Sequence, residues 1–258
     1  MLEKLTDEQL SYIVGLFQGD ASISEQTRNR GKLVYEISYK DKDIIDKLHN
    51  ILSPIVTCKV KERVRDTNFA AQYHSVSLSI YSKEFRDEIA KYIPTGHKSK
   101  TVSFTNTLLV QHYIRGLSDA DGSLGLADTR CFWSLCTSSE EVKTTVLATI
   151  EDVLGIRKIL TRNKRDNVFN IVLYNEDAQV FAQYLYGNTS LYIDRKYTAL
   201  QAVLTWQRTV PKRKGRSKTW LAEEDRLIMD NTYSLEEKMR LTKRSANSIK
   251  TRMWRLSK

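Results

Sequence analysis

The sequence predicts an α+β protein in which one domain-sized half is built twice, followed by a basic connection and a small three-helix domain. Three observations carry this. First, YIVGLFQGDAS at residues 12–22 recurs as YIRGLSDADGS at residues 113–123, identical at six of eleven positions with a constant offset of 101. A period this long is no solenoid unit; it marks two halves related by a pseudo-twofold axis. Second, each copy is followed by segments of period two alternating with segments of helical period. Third, charge is segregated. Residues 207–258 hold 15 basic and 6 acidic side chains, leaving 26 and 25 of the chain's 41 and 31 for residues 1–206.

Each half opens on a helix. In the first, Thr6 suits the N-cap and Gln9 closes a capping box, with Leu5 and Leu10 placed as a hydrophobic staple. Alternation then predicts strands at 21–27 and 32–39, a helix at 42–52, strands at 57–65 and 73–81, and a helix at 83–92. The second half reads as strands at 122–126 and 131–137, a helix at 139–154, strands at 158–164 and 168–174, and a helix at 177–186. The resulting boundaries are 1–100 and 101–206 for the halves, 207–218 for the linker and 219–258 for the last domain.

Composition removes several classes. A hydrophobic content of 41% supports a core, yet no run approaches the ~18 apolar residues of a membrane span. The start, MLEKLTDEQL, does not read as a secretory signal. Cys58, Cys131 and Cys136 form no CxxC pair, which argues against a disulfide scaffold or zinc cluster and for a reducing, intracellular setting. His49, His74, His97 and His112 have no ligand spacing.

The repeated motif has a physical use. Gly15 and Gly116 lie inside apolar helical stretches, where glycine costs about 1 kcal/mol relative to alanine. Close approach of two backbones offsets that cost. It would bring together the helix ends that carry Asp20 and Asp121. Each carboxylate there meets the negative end of a helix dipole, and the two repel each other. Divalent cations relieve both problems, and oxygen ligands suit Mg²⁺. Metal ions between two acids can activate water and stabilise a leaving oxygen at a phosphodiester. A glycine and an aspartate at one helix end also make an ordinary stop and turn; two copies at a fixed offset favour the paired site.

At these residues, IVGLFQGDA (13–21) and IRGLSDADG (114–122), the sequence resembles the LAGLIDADG homing endonucleases. The second copy fits well. The first departs at Gln18 and Ala21, where the family has Asp and Gly, and keeps the acid. The resemblance spans about residues 5–206. It implies two αββαββα halves whose sheets form a DNA-binding saddle, and metal-dependent double-strand cleavage of a long specific site that leaves 3′ overhangs. It implies a metal set of Asp20 and Asp121 with the preceding Gly19 and Ala120. Two or three Mg²⁺ ions are expected between the halves, with Mn²⁺ substituting and Ca²⁺ binding without supporting cleavage. It also implies a basic residue near each acid. Lys98 and Lys196 match best by position, with Lys100 and Arg195 as competitors.

Period two puts Lys59, Lys61, Arg63 and Arg65 on one strand face, and Tyr73, Ser75, Ser77, Ser79 and Tyr81 on one face of the next strand. A polar, basic sheet face suits phosphates and base edges. Arg28, Arg30 and Lys32 flank the first hairpin turn, and Arg162, Lys164 and Arg165 are the second-half equivalents. The linker's Lys212, Arg213, Lys214 and Arg216 suit phosphate contact by counterion release.

Beyond the linker, helices are expected at 222–231, 235–241 and 246–256, with Ser234 and Glu237 as a capping box. Trp220, Leu227, Ile228, Leu235, Met239, Leu241, Ile249, Trp254 and Leu256 are the candidate core. The pattern WxxEED followed by RSxxxIKxR resembles Myb/SANT-like helix-turn-helix modules. That likeness directs Asn247, Lys250, Thr251, Arg252 and Arg255 toward DNA. The expected protein is a monomeric, intracellular DNA endonuclease, encoded in bacteria, phage or an organelle, with double-stranded DNA as partner. The alternatives are a maturase that binds intron RNA and a non-catalytic DNA-binding regulator.

Overall fold

The computed structural model describes residues 1–24, 31–66, 71–94, 99–208 and 220–256. The chain divides into two compact units, Met1–Thr209 and Val210–Lys258.

The first unit is organised on two central helices, α1 (Asp7–Asp20) and α4 (Val110–Asp121). The capping box starts α1 as expected: Gln9 N–H donates to Thr6 Oγ1 at 3.2 Å, and Thr6 N–H to Gln9 Oε1 at 3.0 Å. The next turns, Tyr12–Phe17, are fully buried, as an apolar helix inside a core must be. The glycines explain how two such helices fit together. A Cβ on Gly15 would lie 2.1 Å from the Tyr113 carbonyl oxygen, and one on Gly116 would lie 2.2 Å from that of Tyr12. The same contact is made twice, once from each helix, which is the mark of a pseudo-twofold interface.

In the first half, α1 leads to β1 (Ala21–Ser24), β2 (Lys32–Ser38), α2 (Lys42–Leu52), β3 (Cys58–Arg65), β4 (Tyr73–Ile80) and α3 (Lys83–Ile89). The four strands form an antiparallel sheet in the order β1-β2-β4-β3. One face buries Ala21, Ile23, Leu33, Tyr35, Val76, Leu78 and Ile80. The other carries the polar alternation.

In the second half, α4 leads to β5 (Gly122–Ala127), β6 (Arg130–Thr137), α5 (Glu140–Leu154), β7 (Phe169–Tyr174), α6 (Asn175–Tyr186) and α7 (Asp194–Thr205). Its sheet has three strands, β5-β6-β7. The strand expected at 158–164 does not form, so this half departs from αββαββα. Side chains take the place of a ladder. Lys158 Nζ donates to the Val172 carbonyl at 3.0 Å, and Arg162 donates to the carbonyls of Asn167 (2.9 Å) and Ser138 (3.0 Å). A backbone bond, Asn163 N–H to the Val168 carbonyl at 2.8 Å, ties the segment to the start of β7.

The second unit contains α8 (Ala222–Met229), α9 (Leu235–Thr242) and α10 (Ala246–Leu256). Ser234 and Glu237 form the expected capping box. Its core is smaller than the sequence suggests. Ile228 and Ile249 are fully buried, whereas Met239, Leu241, Trp254 and Leu256 are exposed. Ion pairs supplement this core. Arg244 makes a two-pronged bond to Glu224 and stacks on Trp220 at 4.0 Å, and Arg252 makes another to Asp225 at 2.8 and 2.5 Å. Where apolar burial is this limited, planar bidentate pairs are an effective second restraint.

Candidate active site

Asp20 and Asp121 are the last residues of α1 and α4, and both are exposed. The helix ends touch: a Cβ on Gly19 would lie 2.3 Å from the Ala120 Cβ and 3.3 Å from Asp121 Oδ2. Two clefts open at this contact. One, of about 210 Å³, is lined by Asp20 with Ala120; the other, of about 190 Å³, by Asp121 with Gly19. Each cleft thus pairs the acid of one helix with the preceding residue of the other. Among the described residues no group of three His, Cys, Asp or Glu side chains is placed to hold a metal ion. The two exposed carboxylates are hard oxygen donors of the kind that suits Mg²⁺.

Beneath the acids lies a crossed hydrogen-bond network. Tyr12 of α1 donates to Asp119 Oδ2 of α4 at 2.6 Å, and Tyr113 of α4 donates to Gln18 Oε1 of α1 at 2.6 Å. These residues are related by the 101-residue offset, so the network obeys the same pseudo-symmetry with one exchange. Gln18 stands where Asp119 stands in the other copy. Gln18 Nε2 donates to the carbonyls of Tyr92 (2.8 Å) and Ser103 (2.9 Å). Asp119 also accepts from Tyr186 Oη (2.7 Å) and Ile193 N–H (3.0 Å). Burial pushes the Asp119 carboxyl above its ordinary pKa, opposed by the nearby Lys196 ammonium. Burial likewise pulls Lys196 down, against the pull of Asp119. The departure at Gln18 therefore retains the packing role and drops a charge.

Lys196 lies on the wall of the Asp20 cleft and is only 6% exposed. Its ammonium donates to the carbonyls of Ser118 (2.5 Å), Asp119 (2.7 Å) and Gly122 (2.9 Å). Arg195, on the same wall, makes a two-pronged pair with Asp41 at 2.7 and 2.8 Å. Lys98 lies outside the described residues. Asp41 and Asp119 were not singled out from the sequence. Asp119 had a signal, since it aligns with Gln18 at the motif offset; Asp41 resembles any acid before a helix.

The face of the first sheet is as the alternation predicts. Register pairs Lys59 with Ser79, Lys61 with Ser77, Arg63 with Ser75 and Arg65 with Tyr73. Lys59, Lys61, Arg63 and Arg65 are exposed on this edge strand. Glu36 sits among them and accepts from Arg65 (2.9 Å) and Ser75 (2.7 Å). Ser75 and Ser77 are on the expected face but buried, Tyr73 is half-buried, and Lys32, at the start of β2, pairs with Ser24 of β1. Arg28 and Arg30 lie outside the described residues.

The second half is less basic. The outward positions of its sheet include Ser123, Phe132, Ser134, Cys136, Asn170, Val172 and Tyr174. Arg162 is tied to carbonyls and packs over the Phe169 ring at 4.3 Å. Lys164 is exposed, and Arg165 pairs with its neighbour Asp166.

In the second unit, Asn247, Lys250, Thr251 and Arg255 are exposed on α10. Arg252, expected on the same contact face, is half-buried and pairs through Nε and Nη2 with Asp225. Lys212, Arg213, Lys214 and Arg216 lie outside the described residues.

Paired glycine-bearing helices that end in two acids, each leading into a sheet, define two related halves joined at a pseudo-twofold contact. Residues 7–94 match the LAGLIDADG-like domain family. The chain thus carries a LAGLIDADG-like domain, and its first unit has the LAGLIDADG homing-endonuclease fold. The homing endonuclease I-WcaI bound to its DNA recognition sequence superimposes with a TM-score of 0.56, at 16% identity, over 76% of this chain and 87% of that one. A form of I-DmoI in complex with its target DNA in the presence of Mg gives 0.49 at 16% identity, over 72% and 99%. Full-length WhiA from Thermatoga maritima gives 0.46 at 13% identity, over 96% and 89%. No curated protein matches the chain at a significant level.

Proposed function

We propose that the protein is a site-specific DNA endonuclease that makes Mg²⁺-dependent double-strand breaks in a long target. The observation that carries this reading is the glycine-mediated contact that sets Asp20 and Asp121 side by side at the ends of two buried helices. A structural scaffold has no need of two exposed acids at two negative helix ends; a phosphodiesterase does. I-WcaI, the homing endonuclease of similar fold, is bound to its DNA recognition sequence.

In this reading, Asp20 and Asp121, with the carbonyls of Gly19 and Ala120, hold Mg²⁺. Bound there, the ion supplies positive charge to the scissile phosphates and makes water acidic enough to attack. The chain's own part is positioning. The helix pair fixes both acids at the centre of the site, so one bound duplex meets both clefts. Lys59, Lys61, Arg63 and the exposed part of Arg65 line a polar face suited to phosphates, and Ser79 and Lys32 extend it. Lys196 stands on the wall of the Asp20 cleft, and Lys98 is the basic residue assigned to the other acid by its place in the sequence. The basic linker and the exposed Asn247, Lys250 and Arg255 of α10 add contacts to the same duplex by tethering. The second half adds Lys164 and Arg165. Mn²⁺ substitutes for Mg²⁺, Ca²⁺ supports binding alone, and the protein acts as a monomer.

The test starts from a randomised duplex library selected for binding in Ca²⁺. The recovered duplex is then exposed to Mg²⁺. Cleavage of both strands is expected, blocked by EDTA. Asp20→Asn and Asp121→Asn should each abolish double-strand cutting, with binding in Ca²⁺ kept within about threefold. A duplex that is bound but never cut would favour the regulator, and preference for intron RNA over DNA would favour the maturase.

A further inference from the structure

Two cations face the Asp20 cleft, and their surroundings assign them different work. Lys196 is 6% exposed, and an ammonium has three protons. All three go to backbone carbonyls at the end of α4, those of Ser118, Asp119 and Gly122. Nothing remains for a substrate. Arg195 is different. Its side chain is 52% exposed, and Asp41 engages only its Nε and Nη2 atoms. A guanidinium has five N–H donors, so three remain beyond the pair. The planar fork is held in one orientation by two parallel bonds, as phosphate recognition requires.

Asp41 itself points to this use. It occupies the N-cap of α2, where an aspartate ordinarily accepts from the helix's first amides. Here it makes no such bond, and its carboxylate, 4% exposed, is given to Arg195. The pair bridges the two halves and is reinforced beside it: Asp194 N–H donates to Asp43 Oδ2 at 2.8 Å, and Lys47 Nζ to Asp194 Oδ1 at 2.6 Å. These bonds fix the start of α7 against the start of α2. Among the described residues the arrangement does not recur in the other half. The N-cap of α5 is Ser139, which accepts from Val142 N–H at 3.2 Å and donates to the Val102 carbonyl at 2.6 Å.

We propose that Arg195, presented by the buried carboxylate of Asp41, is the cation that contacts the phosphate cut at the Asp20 cleft, whereas Lys196 is a positioning residue that fixes the turn carrying Asp121. The inference rests on the nuclease reading and deepens it. Arg195 stabilises the negative charge that builds on the phosphate oxygens as water attacks, and Asp41 is a positioning residue acting through it. Because Asp41 and Arg195 line the Asp20 cleft and not the Asp121 cleft, the two strands depend on the pair unequally.

The test uses the full chain and the duplex selected in Ca²⁺, with each strand carrying its own end label. On addition of Mg²⁺, Arg195→Gln should slow cutting of one strand about 100-fold, as loss of a transition-state donor does. The other strand should keep its rate within about threefold, so nicked duplex accumulates. Asp41→Asn should slow the same strand, and Arg195→Lys, which keeps the charge, should recover part of the loss. Binding in Ca²⁺ should hold in all three, and Arg195→Lys, which keeps a cation beside the buried Asp41 carboxylate, should melt near the native temperature. If Arg195→Gln slows both strands equally, or Arg195→Lys and Arg195→Gln both cut at the native rate, the assignment is overturned. If the unaltered protein binds the duplex and cuts neither strand, the nuclease reading itself falls, and this assignment with it. Should Arg195→Gln melt early, Arg195→Lys decides alone: native cutting of both strands refutes the proposal.

Discussion

Three carbonyls at the end of α4 converge on one ammonium, and that is where single residues matter most for stability. Lys196→Met keeps the length and apolar stem but leaves those acceptors and the buried Asp119 without their cation. Losing a buried partner of this kind costs about 3 kcal/mol, roughly 10 °C in melting temperature for a chain of this size. Calorimetry of the variant checks it, and an unchanged melting temperature would show that water serves those carbonyls equally well. The tyrosines around the network give a pH effect. Tyr12 and Tyr186 are fully buried, and burial with the Asp119 carboxylate beside them holds both phenols well above their usual pKa of 10.0. Burial raises Tyr35 and Tyr113 as well. In the unfolded chain these groups ionise near pH 10, while the folded chain keeps them protonated. The unfolded state then binds fewer protons, so stability is fully present below pH 10 and falls as pH rises above it. Each such tyrosine contributes up to about 1.4 kcal/mol per pH unit. Denaturant titrations at pH 9, 10 and 11 should show that decline, with a shallower slope in Tyr35→Phe.

The helix pair is the element on which everything else is hung, and it gives the sharpest structural prediction. Alanine improves helix propensity by about 1 kcal/mol at either central glycine. At these two it also drives a methyl group to 2.1 or 2.2 Å from a carbonyl of the facing helix. Backbone cannot yield as a flexible side chain does, so overpacking wins, and a net loss of about 2–3 kcal/mol is expected for Gly15→Ala or Gly116→Ala. Thermal melting measures it, and the double variant should lose less than the sum because the helices need part only once. This element was legible in the sequence because its chemistry is repeated. A glycine in an apolar helix followed by an acid means little once, and means a paired interface when it recurs at a fixed offset. The first sheet was legible for a related reason: its period-two alternation sets Val76, Leu78 and Ile80 in the core, though Ser75 and Ser77 on the opposite face are buried as well. The segment at 158–164 has a similar pattern, yet Lys158 and Arg162 satisfy the carbonyls around β7 with side-chain donors. Alternation records which residues can face water and does not record what supplies the hydrogen bonds. The Asp41–Arg195 pair was illegible for another reason, since 154 positions separate its members. The Arg252–Asp225 pair, 27 positions apart, was illegible in the same way.

Charge is segregated along the chain, so in the proposed complex the patterned sheet faces and the bulk of the positive charge belong to different parts of it. Residues 210–258 contain 14 basic and 6 acidic side chains, whereas residues 1–209 contain 27 and 25. The larger unit carries both acids and the patterned sheet faces but is close to neutral, so its attraction for a duplex depends on where its cations stand. The smaller part is strongly basic, and its exposed Asn247, Lys250 and Arg255 lie on one helix. Binding to phosphates releases condensed cations, so each contact steepens the fall of affinity with salt by about 0.9 in the logarithmic slope. A chain ending at residue 209 should therefore bind random-sequence duplex DNA more weakly, with a slope shallower by about 3 to 5. Lys59→Ala with Lys61→Ala and Arg63→Ala in the full chain removes three exposed cations from β3 and should reduce the slope by about 2 to 3. The two losses should add, because they remove different phosphates. Affinity measured by fluorescence anisotropy from about 50 to 300 mM KCl gives both slopes. A shortened chain with the full slope would mean that the basic segment does not touch the duplex, and that the sheet face alone carries the electrostatic attraction.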